Sequence, residues 1–146
     1  MPEKSVRKRA RQDAREGKSP STQAGEFVHQ EIKHIRKGKH GAKSAKQAIA
    51  IGLSKARRAG VKLPVPEKGT VPASTRRKAT RDLARGNKGG PSRKRSLASS
   101  RALEKKGHAA ASPRALSRHA KASAHKRGHA DLSAAARKAA RTRAKP

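Results

Sequence analysis

The chain has 146 residues, with 40 Lys and Arg against 9 Asp and Glu and a formal net charge of +31. Val, Ile, Leu and Phe number only 17, about 12% of the chain and well under the roughly 20% at which high net charge predicts disorder. Such a composition excludes a full-length apolar core; the absence of Cys excludes disulfides and thiolate metal sites, and no apolar run approaches the roughly 18 residues a membrane span needs.

Residues 1–18 read as a basic arm. An Arg9–Asp13 pair suits a helix and Gly17 would stop it, but Val6 is the only large apolar residue available to hold it. The N-terminal stretch MPEKSVRKRARQDAR lacks the apolar segment of a secretory signal. A soluble intracellular protein is expected.

Residues 19–66 hold ten of the 17 large apolar residues, between Phe27 and Val65, and form the expected folded head. Ser19 and Pro20 have the form of a helix N-cap followed by proline at the first helical position. Phe27, Val28, Ile32 and Ile35 then make an apolar stripe at helical spacing, closed by Gly38. A second helix opens at Ser44 with Gln47 three residues later, a capping-box pattern. It carries Ala45, Ile49, Gly52, Leu53 and Ala56 on one face, and the small residues there permit close approach of a partner helix. Gly60 is its stop, and the segment from Lys62 to Pro66 is expected to be extended. The predicted fold class is therefore a small all-α helical hairpin of two helices, flanked by basic, largely disordered arms with nascent helices. The head core is Phe27, Val28, Ile32, Ile35, Ile49 and Leu53. A unit this small seldom suffices alone, so dimerisation through the head, or folding on a partner, is expected.

Residues 67–146 form a low-complexity Lys/Arg/Ala tail. A basic residue followed by glycine recurs at Arg85-Gly86, Lys106-Gly107 and Arg127-Gly128, a repeat of about 21 residues. Each glycine closes an alanine-rich stretch, and Ser112-Pro113 and Ser133 are the expected caps. Leu103, Leu116 and Leu132 give each unit one leucine to pack, so these stretches read as helices that form only when phosphates neutralise them. The glycine-rich run at 86–90 lacks the spacing and strand of a phosphate-binding P-loop and reads as a hinge.

Catalysis finds no support: the nine acids are scattered, and the serines are accounted for as caps and turns. No cofactor is expected. Nor is a metal site. His29 and His34 are about 140° apart around a helix, His40 lies in a Gly-bounded turn, and His108, His119, His125 and His129 sit on the tail without nearby carboxylates.

The positive charge points to a polyanion. The candidate nucleic-acid-binding residues are Arg7, Lys8, Arg9 and Arg11 in the arm, Lys55, Arg57 and Arg58 in the head, and Arg76, Arg77, Lys78, Arg93, Lys94, Arg95, Lys105, Lys106, Lys126, Arg127, Arg137, Lys138, Arg141 and Arg143 in the tail. Each can displace a counterion condensed on nucleic acid. Zinc-finger spacing, paired base-stacking aromatics and other base-reading chemistry are lacking. The expected function is non-sequence-specific binding to double-stranded DNA by a nucleoid-associated, histone-like protein that is not an enzyme. The alternatives are an RNA- or ribosome-associated protein, and a protein-interaction module localised by its tail. No membrane partner is expected.

The stretches SPSTQAGEFV (19–28) and KHGAKSAKQAIAIGLSKARRAG (39–60) resemble a family of small basic bacterial proteins of uncharacterised function, over about residues 1–66. That resemblance implies a bacterial, cytoplasmic protein and assigns no functional residues. The tail is similar in composition to linker-histone tails and bacterial histone-like proteins.

Overall fold

Serine caps and glycine stops set the helix boundaries of the head. In the computed structural model, which describes residues 3–86, 88 and 92–144, Ser19 caps a helix over Pro20–Arg36 by accepting a hydrogen bond from the Thr22 amide. Ser44 does the same for a helix over Ala45–Arg58, accepting from the Gln47 amide at 3.2 Å. The capping box is modified: the Gln47 side chain accepts from the Lys43 amide at 2.7 Å, one residue outside the cap. Both helices end in a Schellman turn. Lys39 N–H donates to His34 O and Val61 N–H to Ala56 O, around Gly38 and Gly60 in the left-handed region.

These two helices are α2 and α3 of six: α1 (Lys4–Arg15), α2 (Pro20–Arg36), α3 (Ala45–Arg58), α4 (Ala73–Arg85), α5 (Arg93–Glu104) and α6 (Pro113–Arg143). A single 3-10 turn at Ala109–Ala111 precedes α6, and the described residues include no strand. The expected hairpin with disordered arms is thus overturned. The arms are helical, and both contribute to the core.

The reason lies in small side chains. α2 and α3 pack so closely at Gly52 that an added Cβ would lie 2.6 Å from Val28 Cα. Around that contact α3 buries Ala45, Ala48, Gly52 and Ala56, a stripe of small residues at helical spacing. Ile49 and Leu53, expected in the core, are only half-buried beside this stripe, as are Val28 and Ile32 on α2, whereas Phe27 and Ile35 are fully buried.

Two apolar clusters result. The first joins Val6 and Ala10 of α1 to Ala24 and Phe27 of α2, Ala56 of α3, and Val61 and Leu63 beyond it. Val6 is 1% exposed, so one valine and one alanine suffice to seat the N-terminal helix on α2. The second joins Ile35, Ala42 and Ala48 to Ala110 and Ala111 of the tail, with Ile32 against them. Backbone hydrogen bonds secure that docking: Gly41 N–H to Leu103 O at 2.9 Å and Ala42 N–H to Gly107 O at 3.1 Å. Gly41 has no room for a side chain, since a Cβ would fall 1.8 Å from Lys106 O. The arms thus cover Ile35 fully and pack against Ile32 and Leu53, while Ile49 stays half-exposed.

The tail's 21-residue spacing marks helix ends. Gly86 caps α4 at φ 45°, Gly107 lies between α5 and the 3-10 turn, and Gly128 breaks α6 at φ 77° and ψ 165°. Ser112 caps α6 as expected, with Pro113 at its first position, but Ser133 lies inside the helix and caps nothing. Ala, Lys, Arg and Leu all favour helix, and the tail is helical although α5 and α6 bury no residue. Of the glycine-rich run at 86–90, only Gly86 and Lys88 fall within the described residues.

Close packing at Gly52 makes a paired prediction. Gly52→Ala will lose about 1–3 kcal/mol to overpacking, more than the helix propensity it gains. Gly25→Ala, where a Cβ meets nothing within 4 Å, will gain about 0.5–1 kcal/mol. Urea unfolding followed by far-UV circular dichroism reads both. Gly41→Ala will undock the segment around Lys106 and accelerate tryptic cleavage after Lys105 and Lys106, seen as a new early fragment in a time course.

Candidate nucleic-acid interface

The candidate cations divide by what they touch. Some are occupied inside the fold. Arg57 is 7% exposed and donates through Nη2 to Pro64 O at 3.0 Å, while its Nε has no partner. Burial pushes its guanidinium below the usual arginine pKa, opposed by the charge of Asp82. Lys55 donates to the carboxylate of Glu31, whose side chain is fully buried. Arg58 donates to Ser54 O and lies 3.8 Å from Asp82 of α4, whose carboxylate also accepts from the Ser54 hydroxyl. Arg76 donates to Pro66 O at 3.1 Å. Proline interrupts regular hydrogen bonding in this segment, and Arg57 and Arg76 satisfy two of its carbonyls. Arg57 therefore does not belong to the exposed cation surface.

Other candidates pair at the surface. Arg9 of α1 meets Glu26 of α2, and Arg127 meets Asp131 across the break in α6 at Gly128. Lys18 bridges Asp13 and Glu16, which raises its pKa and lowers that of Glu16. Pairs this exposed stabilise by only about 0–1 kcal/mol each and yield readily to a competing anion.

The remaining candidates face solvent. Lys8 and Arg11 line the outside of α1; Arg77 and Lys78 lie on α4; Arg93, Lys94 and Arg95 form the first turn of α5. Lys105 is exposed and Lys106 half-exposed in the turn after α5, and Lys126, Arg137, Lys138, Arg141 and Arg143 are exposed on α6; Arg7, half-buried on α1, stands apart from this solvent-facing group.

Helical phase adds residues that the sequence reading passed over. Arg81, Arg85, Arg101, Arg114, Arg118 and Lys121 are equally exposed. On α4, Arg76, Arg77 and Arg81 line a shallow groove with Ala73, Thr80 and Ala84. For Arg81 the signal was its spacing of four from Arg77, which only a continuous helix makes meaningful.

The start of α5 has unusual electrostatics. Its first turn has no acidic residue and carries three cations at the positive end of the helix dipole, an arrangement costing about 0.3–1 kcal/mol per charge. Ser92 caps it by accepting from the Arg95 amide. An anion placed there would relieve the repulsion and meet free backbone N–H groups.

The histidines are placed differently from the sequence expectation. His34 and His40 meet edge to face, with ring centroids 6.3 Å apart. His40 Nε2 stands 3.1 Å from buried Glu31 Oε1, and His34 Nε2 stands 3.1 Å from Glu3 Oε1. The hydrogen bond from His34 holds the Glu3 carboxyl below the usual carboxylate range. The Schellman turn at Gly38 carries the chain back so that His40 reaches Glu31.

Buried and exposed arginines should separate in stability measurements. Arg57→Met will cost about 1–3 kcal/mol by leaving the Pro64 carbonyl unpaired. Replacing Arg93, Lys94 and Arg95 together by Gln will not destabilise the protein, because removing three like charges at a dipole's positive end is favourable. Thermal melts of both variants test this.

Residues 14–68 match the model of a family of unknown function (DUF6496), a stretch that spans α2, α3 and the proline-rich segment after them. No curated protein and no solved structure matches the chain. The head is thus similar to an uncharacterised family, while α4, α5 and α6 lie wholly outside the match.

Proposed function

We propose that the protein binds nucleic acid, duplex DNA foremost, through its phosphates and without reading bases, as a nucleoid-associated, histone-like coating protein. One observation carries this reading. From α4 to α6 the cations are overwhelmingly exposed, and carboxylates there are few: the only acids between Glu67 and the C-terminus are Asp82, Glu104 and Asp131. Asp82 is already engaged with Ser54 and Arg58. A surface so charged lowers its free energy when it displaces condensed counterions from a polyanion.

The helices suit an extended polyanion. α6 is broken at Gly128 into two segments of fifteen residues, each about 22 Å long at 1.5 Å per residue. Duplex DNA presents one charge per roughly 1.7 Å of axis, so each segment runs past about a dozen phosphates. Base stacking has no source of Phe, Trp or Tyr type among the described residues: Phe27, the single such residue, is buried in the core. No described helix is long and apolar enough to cross a membrane.

If about ten phosphates are engaged at once, log K for an arbitrary duplex will fall against log salt with a slope near −9. Replacing Arg93, Lys94 and Arg95 with Gln will flatten that slope by about 2–3 equally for unrelated sequences, whereas Arg57→Met will leave it unchanged. Fluorescence anisotropy on two unrelated duplexes at several salt concentrations measures this, with a folded RNA as competitor. A flat salt response or strong preference for one duplex would refute the reading, and displacement by RNA at far lower concentration than by DNA would move the target to RNA.

A further inference from the structure

We propose a second, independent site: a divalent transition-metal site made by Glu31, His34 and His40, of the kind that takes zinc. One oxygen of Glu31 and one ring nitrogen from each histidine all lie within 4.8 Å of one another. Glu31 and His34 are three residues apart on α2 and so share a face. His40 arrives from the loop, folded back by the turn after α2.

Two further observations point to a cation. Glu31 Oε1 is buried and accepts no hydrogen bond, although His40 Nε2 stands 3.1 Å from it without the alignment for one. Leaving a buried carboxylate oxygen unsatisfied is costly, and a metal ion between the two atoms removes the cost. Bonds of about 2.0–2.1 Å to zinc set tetrahedral ligand atoms about 3.3 Å apart, close to the 3.1 Å between His40 Nε2 and Glu31 Oε1, and the His34 nitrogen, within 4.8 Å of both, would close on the ion. Second, the imidazoles are held as metal-binding imidazoles usually are, each with an outer partner. His40 Nδ1 is 3.2 Å from Gly41 O, so a proton there leaves Nε2 with its lone pair toward Glu31. His34 has the Glu3 carboxylate at Nε2.

Lys55 occupies the other oxygen, Glu31 Oε2. Its charge opposes a metal ion, and that of Glu3 beside His34 offsets it. The donor set of two imidazoles and one carboxylate suits zinc and its late first-row neighbours over magnesium or calcium.

The test uses full-length protein free of nucleic acid. Titration calorimetry with zinc chloride should give one equivalent of tighter binding, above any weaker capture by tail histidines, together with a rise in melting temperature. His34→Asn with His40→Asn should remove that equivalent, and Glu3→Gln should weaken it by about tenfold, as loss of an outer partner does. A readout that needs no variant is nuclear magnetic resonance of the wild-type protein with cobalt(II), in which the His34 and His40 ring signals should shift or broaden first. The proposal is overturned if the double variant binds zinc as the wild type does, or if only His108, His119, His125 and His129 respond to cobalt.

Discussion

Everything in this fold depends on how closely two helices can approach. A chain with so few large apolar residues has little surface to bury, and packing over long side chains would leave its helices apart. Gly52 against the backbone of Val28, with Ala45, Ala48 and Ala56 around it, brings α2 and α3 together. Each pair of atoms in contact there attracts weakly, but many pairs are brought into range at once. On that platform Val6 and Ala10 seat one arm, and Ala110 and Ala111 seat the other.

Electrostatics then divides the molecule. In the head, cations are consumed by structure: Lys55 on Glu31, Arg57 on the Pro64 carbonyl, Arg58 near Asp82. A charge held in this way is oriented and partly shielded from solvent. In α5 and α6 the cations have little to bind within the chain, and their repulsion is tolerated because these helices extend into water, where charges at a distance are screened. The same residue types serve as internal fasteners in one half and as external charge in the other.

Much of the local structure was legible in the sequence. Ser19, Ser44 and Ser112 cap helices, and Gly17, Gly38 and Gly60 end them, because capping chemistry is local and carries its own signature. What escaped was tertiary. The expected head core holds no alanine, yet alanines make up most of the buried apolar positions. The sequence reading weighed Val6 alone against the cost of ordering α1, without the alanine and phenylalanine faces waiting on α2. The Glu31, His34 and His40 cluster was missed for a related reason. The histidines were compared with one another along the chain, whereas the pairing that matters joins a helix face to a loop returned by a turn.

The break at Gly128 has a geometric consequence. A straight rod laid across a cylinder touches it along a short stretch only, and most of a rigid 31-residue helix would diverge from a surface that curves beneath it. Bending the rod at its midpoint lets both halves lie tangent to that surface at once. The glycine thereby gives the two halves of this helix separate directions, and an alanine in its place, disfavouring the positive φ, would favour one straight spoke.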